Sequence, residues 1–315
     1  MIDVIAVVGA GTMGHGVAET FAMNGYPVHL FDVSAEARAR VKGVIEQELG
    51  FLAENDALPC GSVEEALDRI TIYDDLREAV KDADYVIESA PEDLALKQAL
   101  FQELDSCCKP ECILASNTYT LPLKDMMEKV SAERRARMMV CHWYNPPHIM
   151  PIAELSCFGN MPEEIYQEVA GLYQKAGKQT VKVLKDAPGL VANRIQQGVA
   201  REVFSIIEQG IAAPEDVDKA LKFGPAFRYA TTGQLEVADM GGLDIWCVSG
   251  DNLLAVIDDR HDADPLLHQK VKEGKLGLKS GEGFFQYPPE QVPAIKNRFN
   301  KKLLTQLKAS RSYID

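Results

Sequence analysis

Gly9-Ala10-Gly11-Thr12-Met13-Gly14 follows the β-branched run IDVIAVV and opens the apolar-periodic stretch HGVAETFAMNGY. Glycines at that spacing, between a strand and a helix, let backbone N–H groups and the helix N-terminus approach a pyrophosphate, so the segment predicts a dinucleotide site. Asp32 ends the next strand-like run, PVHLFD, where a carboxylate accepts hydrogen bonds from adenosine ribose hydroxyls and repels a 2′-phosphate. That favours NAD over NADP, although Arg38 and Arg40 stand nearby; Ser34 is better placed than Asp32 to cap the following helix.

A second set of residues can move a proton. His142 closes the apolar run RMMVC and precedes Trp143-Tyr144-Asn145-Pro146-Pro147, whose prolines take the chain out of a sheet. Glu154 lies twelve residues on, in the run IAELSC, so that neighbouring strands bring a carboxylate beside an imidazole. Such a pair fixes one ring nitrogen and steadies the imidazolium once the other nitrogen has accepted a proton. It suits oxidation of a secondary alcohol, with the hydride passing to nicotinamide. A lone histidine after an apolar run is more often a satisfied core residue. His148, in the proline-rich loop, has no acidic partner at strand spacing and is the weaker candidate base.

These residues need a sheet to hold them. Residues 2–9, 27–32, 69–74, 84–90, 112–117, 137–143, 152–157 and 179–186 read as strands, with amphipathic stretches between them, one of them from Glu163 to Ala176. The alternation predicts an α/β domain, a Rossmann-type doubly wound parallel sheet flanked by helices, over residues 1–186. After Asp186-Ala187-Pro188-Gly189 the pattern turns helical, predicting an all-helical domain over 187–315. In such a sheet ligands bind beyond the carboxyl ends of the strands, which collects Gly9 to Gly14, Asp32, Glu92, Asn117 and His142 into one site.

Bulk properties narrow the partners. The 315 residues carry a formal net charge of -14, unfavourable for nucleic acid or an anionic membrane surface, and no long apolar run suggests a membrane span. Seven cysteines in no zinc or disulfide spacing fit a reducing cytoplasm, and no metal site is expected.

GAGTMG, Asp32, SNT at 116–118, HWYNP at 142–146, Glu154, PGLVANR at 188–194 and KSGEGFF at 279–285 together resemble the 3-hydroxyacyl-CoA dehydrogenase family, over essentially the whole chain. The resemblance implies an NAD-dependent oxidation of a 3-hydroxyacyl substrate to its 3-oxo product, in fatty acid metabolism. It implies a His142–Glu154 dyad, with Asn193 hydrogen-bonding the substrate oxygen. Glu92, Lys97, Asn117, Asn145 and Lys279 would line the NAD site, and a homodimer would form through the helical domain. Lys97 and Lys279 read equally well as solvated surface charges.

Three features depart from that pattern. Tyr119 stands where family members usually carry a substrate-contacting serine; its phenol still donates a hydrogen bond but narrows the pocket. The lysines with which acyl-CoA members meet coenzyme A phosphates after strand two are missing: residues 43–68 hold no Lys or Arg, but Glu46, Glu48, Glu54, Asp56, Glu64, Glu65 and Asp68. FRYATTGQLE at 227–236 and NPPHIMPIAEL at 145–155 look more like the lambda-crystallin, gulonate and carnitine dehydrogenase branch, which acts on free hydroxy acids. Arg228 then becomes a candidate for gripping a substrate carboxylate. A CoA thioester and a free 3-hydroxy acid both stay open, as does a non-catalytic NAD-binding structural protein.

Overall fold

The computed structural model describes residues 2–313. Eight strands are present: β1 (Ile5–Val8), β2 (Val28–Phe31), β3 (Ile70–Tyr73), β4 (Tyr85–Glu88), β5 (Ile113–Ser116), β6 (Met138–Trp143), β7 (Ile152–Ser156) and β8 (Gln179–Val183). Between them run α1 (Gly14–Met23), α2 (Ala35–Glu54), α3 (Val63–Asp68), α4 (Leu76–Val80), α5 (Leu94–Cys107), α6 (Leu123–Met126), α7 (Ala132–Arg135) and α8 (Glu163–Lys175). Ser34 caps α2 as expected, its hydroxyl accepting the Ala37 N–H at 3.2 Å.

The strands form one sheet in the order β3-β2-β1-β4-β5-β6-β7-β8. Order reverses between β1 and β4, and a ligand crevice opens at such a point. Strands β1, β4 and β5 are buried on both faces, and their residues are accordingly almost all apolar. Beneath the end of β6, Phe21, Tyr85, Trp143 and Tyr173 make an aromatic cluster, edge-to-face except for the tilted Trp143–Tyr173 pair, with the Trp143 indole N–H donating to the Tyr173 hydroxyl at 2.9 Å. Side chains alternate along a strand, so this anchoring of Trp143 turns its neighbour His142 to the other face.

One expectation needs correction. The sheet is not parallel throughout: β7 runs antiparallel to β6, and β8 runs parallel to β7. The loop 144–151 is too short for the crossover that a parallel neighbour requires, so the chain turns back on itself.

The chain divides between Val191 and Ala192 into two units. Among the described residues the second is helical apart from isolated bridges at Glu282: α9 (Ala192–Glu208), α10 (Pro214–Phe223), α11 (Pro225–Tyr229), α12 (Gly233–Gly241), α13 (Leu243–Leu253), α14 (Pro265–Lys272), a 3-10 turn (Pro289–Gln291) and α15 (Val292–Ser310).

Candidate active site

The glycine loop at the end of β1 is shaped by two close approaches. Gly9 has φ +106°, and a Cβ there would stand 2.9 Å from the Ser89 carbonyl oxygen. A Cβ on Gly14 would overlap the Gly9 oxygen at 1.7 Å, so α1 starts against the strand end only because position 14 lacks a side chain. A Cβ on Gly11 would meet nothing within 4 Å, which leaves open surface above the loop. Thr12 is exposed beside it, and Met13, the first flanking residue of α1, offers no side-chain cap to the helix N–H groups.

Asp32 braces this loop: Oδ2 accepts the Ala10 N–H at 2.7 Å and Oδ1 the Ser34 N–H at 2.8 Å. A carboxylate oxygen accepts more than one hydrogen bond, so both retain capacity for ribose hydroxyls. Arg38, a residue that could have favoured a 2′-phosphate, donates to the Asp32 main-chain carbonyl at 2.6 Å. Open surface over Gly11, an uncapped helix N-terminus and a carboxylate at the end of β2 fit NAD.

The ends of β4 and β5 carry a buried charge network. Glu88, fully buried, accepts from the Lys97 ammonium at 2.7 and 3.0 Å, from the Ala90 N–H at 2.9 Å and from the Ser116 hydroxyl. Lys97 is therefore no solvated surface charge; its amine is enclosed and lies 3.4 Å from Glu92. Glu92 accepts the hydroxyls of Thr118 at 2.5 Å and Thr120 at 2.6 Å. Half-burial works against its charge, but those hydroxyls and the Lys97 ammonium outweigh it and hold the carboxyl below the usual glutamate range. Asn117 bridges strand ends, accepting the Trp143 N–H at 2.8 Å and donating to the Ser89 hydroxyl at 3.4 Å.

His142 and Glu154 are direct cross-strand partners in the antiparallel pairing of β6 with β7. Imidazole Nδ1 lies 2.8 Å from Glu154 Oε2, while Oε1 accepts the Val191 N–H at 2.8 Å. Both carboxylate oxygens are thus tied in a fully buried position, which fixes the ring and assigns the Nδ1 hydrogen to Glu154. Nε2 keeps its lone pair for a proton. Tyr119 flanks the ring at a centroid distance of 5.7 Å and is half exposed; Tyr144 packs edge-on at 5.2 Å. Burial and the nearby Glu154 charge push the Tyr144 phenol up to about 12, so it stays a neutral hydrogen-bond donor.

The first unit thus brings together the glycine loop, Asp32, Glu92, Asn117, Tyr119, His142 and Glu154, with Asn145 exposed just past β6. Asn193 lies in the first turn of α9, Arg228 is exposed on α11, and Lys279 is exposed in the turn after α14, all three in the second unit. Sequence reasoning missed Glu88, whose signal was a carboxylate inside the apolar strand YVIE. It also missed the partners of His148. That ring lies 2.7 Å from Glu19 and 3.5 Å from Glu48, acids supplied by α1 and α2 rather than by a neighbouring strand.

Comparison with known proteins places the chain in a family. Residues 4–187 match the model of the 3-hydroxyacyl-CoA dehydrogenase NAD binding domain, and residues 189–287 that of the C-terminal domain of the same family. Across 304 residues the chain is 33% identical to a 5-formyl-3-hydroxy-2-methylpyridine 4-carboxylate 5-dehydrogenase of Mesorhizobium japonicum, covering 96% of this chain and 97% of that protein. It is 36% identical over 288 residues to a protein of Bacillus subtilis named a probable 3-hydroxybutyryl-CoA dehydrogenase, covering 91% and 98%. It is 33% identical over 238 residues to an L-carnitine dehydrogenase of Streptomyces coelicolor, covering 76% and 73%. A crystal structure of the pyridine-carboxylate type of dehydrogenase, described as an NAD+ dependent dismutase, superposes with a TM-score of 0.90 over all of both chains at 33% identity. With NAD as its cofactor and a CH–OH group as the site of its redox chemistry, the chain belongs to the 3-hydroxyacyl-CoA dehydrogenase family.

Proposed function

We propose that this protein oxidises the secondary alcohol of a small hydroxy acid that carries a free carboxylate, with His142 as the general base. The observation that carries the choice of substrate is the stretch 43–68, in α2 and α3, which holds seven acidic residues and no Lys or Arg. A ligand with several phosphate charges is disfavoured beside it. The full-length likeness to an enzyme named for a pyridine carboxylate supports the free carboxylate, and the likeness to an L-carnitine dehydrogenase supports the secondary alcohol.

His142 Nε2 takes the hydroxyl proton, and Glu154, held by Val191, stabilises the imidazolium that results. Bound NAD supplies the acceptor for the hydride, so the alcohol loses two electrons and two hydrogens and becomes a carbonyl. Asp32, the Gly9–Gly14 loop, Glu92, Asn117 and Asn145 hold the dinucleotide, and Lys97 positions Glu92 for it. Asn193, two residues along the chain from Val191, hydrogen-bonds the reacting oxygen. Tyr119 donates to the same end of the substrate, Arg228 grips the carboxylate, and Lys279 adds a cation for NAD. Arg228 has no carboxylate within ion-pair reach among the described residues, which leaves its guanidinium open to a ligand.

We further assign the second unit to homodimer formation, because Leu235, Met240, Leu243, Ile245 and Leu254 are all exposed on α12 and the α13 region. Seven free cysteines support a reducing compartment such as the cytoplasm. No helix among the described residues is long and apolar enough to cross a membrane.

The second reading, a 3-hydroxyacyl-CoA substrate, is favoured by the 36% identity to the Bacillus subtilis protein. A panel of free hydroxy acids and 3-hydroxybutyryl-CoA, followed by NADH absorbance, separates the two. Turnover of the thioester with kcat/KM of about 10⁴ M⁻¹s⁻¹ or more overturns the free-acid proposal. Tight NAD binding with no turnover of any alcohol points instead to a structural protein. For the free acid, Arg228→Ala should raise substrate KM by at least about tenfold and leave the KM for NAD unchanged.

A further inference from the structure

A second cluster of ionisable groups lies in the first unit, away from the dyad. Glu19 points from α1, Glu48 from α2 and His148 from the loop 144–151, and their ligating atoms all lie within 4.8 Å of one another. His148 Nδ1 is 2.7 Å from Glu19 Oε1 and 3.5 Å from Glu48 Oε2. Yet neither oxygen of Glu19 nor either ring nitrogen of His148 has a well-angled hydrogen-bond partner outside this cluster. Glu19 is 0% exposed. Burial and the neighbouring Glu48 charge push the Glu19 carboxyl well above the usual carboxylate range, so its charge is costly there unless a cation compensates it.

The surroundings point the same way. His15 Nδ1 lies 2.7 Å from the Gly11 carbonyl, so the ring donates there, and its Nε2 faces Glu48 Oε2 at 3.1 Å. That chain, from carbonyl through imidazole to carboxylate, resembles the outer partners that orient metal ligands. The nearby cation, Lys178, directs its ammonium to the Pro147 carbonyl and, at 2.8 Å, to the Met150 carbonyl; no hydrogen bond joins it to Glu19. Burial lowers its pKa to about 7, which weakens its claim on the carboxylate. Glu48 is about a third exposed, which gives an ion a way in.

We propose that Glu19, Glu48 and His148 bind one divalent first-row transition-metal ion, of the zinc or manganese class, that ties α1 and α2 to the loop following the catalytic strand. Two carboxylates with one imidazole suit such ions better than calcium or magnesium, which prefer all-oxygen sites. The expectation of no metal rested on cysteine spacing, and none of these three ligands is a cysteine. Binding displaces any proton held on the two carboxylates or the ring, so affinity falls as pH is lowered. Through Glu48, His15 and Gly11 the ion also steadies the glycine loop.

The test uses the full chain without an affinity tag, stripped with EDTA and dialysed free of it, then titrated calorimetrically with ZnCl2 and separately with MnCl2. One equivalent of at least one of the two ions should bind and raise Tm, with calcium and magnesium doing neither. Glu19→Gln and His148→Gln should remove that equivalent. Glu48→Gln, at the exposed edge where folding is least at risk, should weaken it by at least about tenfold. Circular dichroism and NADH binding confirm that each variant is folded. No stoichiometric uptake by the wild type overturns the proposal. Uptake that survives Glu19→Gln, or Glu48→Gln should Glu19→Gln not fold, places the ion elsewhere and overturns it equally. Both results are independent of whether His142 is the base.

Discussion

The two units treat their apolar residues in opposite ways. In the first, Ile5, Val7, Leu30, Leu49 and Phe101 vanish into a core built by one chain alone. In the second, Leu235 is 83% exposed, Met240 84% and Leu254 69%. Apolar surface left in water on that scale marks a face made to be covered. The difference teaches that the sheet unit closes its own core, whereas the helical unit leaves much apolar surface on its outer faces, the feature on which the proposed dimer rests.

The sharpest way to break this comparison is to remove the base. His142→Gln should lower kcat by about 10²- to 10⁴-fold while NAD affinity and fold are kept, measured by steady-state kinetics and dichroism. Activity near wild type would move the chemistry elsewhere. Next comes a pair of lysines. Lys97→Met strands the buried Glu88 charge and should cost about 3–5 kcal/mol in urea denaturation. Lys279→Met, at an exposed turn, should stay within about 0.5 kcal/mol. Equal costs would erase the contrast between the units.

A third variant addresses partners directly. Leu254→Asp should shift the protein from dimer to monomer in sedimentation analysis, with NADH affinity changed less than about twofold, since the nucleotide loop lies wholly in the first unit. A wild type that is already monomeric sinks the homodimer. The smallest effect concerns pH. Glu92 has a folded-state pKa below its ordinary value, so its contribution is complete above that ordinary value and is lost as pH falls through the lower, folded one. Wild-type stability should therefore drop more steeply than that of Glu92→Gln between about pH 5 and pH 3.

Legibility followed the range of the interaction. The central strands β1, β4 and β5 could be read because a strand buried on both faces is a nearly unbroken apolar run, and the glycine loop because a strand-to-helix turn against a dinucleotide admits so few residues. The His142–Glu154 interval was readable too, since a short hairpin converts sequence separation into cross-strand pairing. Lys97 was not. Its partner Glu88 ends an apolar strand, and nothing in the local pattern tells a buried ion pair from a surface lysine. The acids beside His148 were illegible for the same reason, arriving from two helices a hundred or more residues earlier.

The sequence by itself determined the α/β architecture, the NAD loop and the pairing of His142 with Glu154, because each rests on periodicity or on contacts between segments close in the chain. Only the tertiary structure decided that β7 reverses direction, that Glu154 is clamped by Val191, and that Glu19, Glu48 and His148 converge. Those outcomes depend on which distant elements pack together, and packing of that kind is set by the whole core rather than by any segment of it.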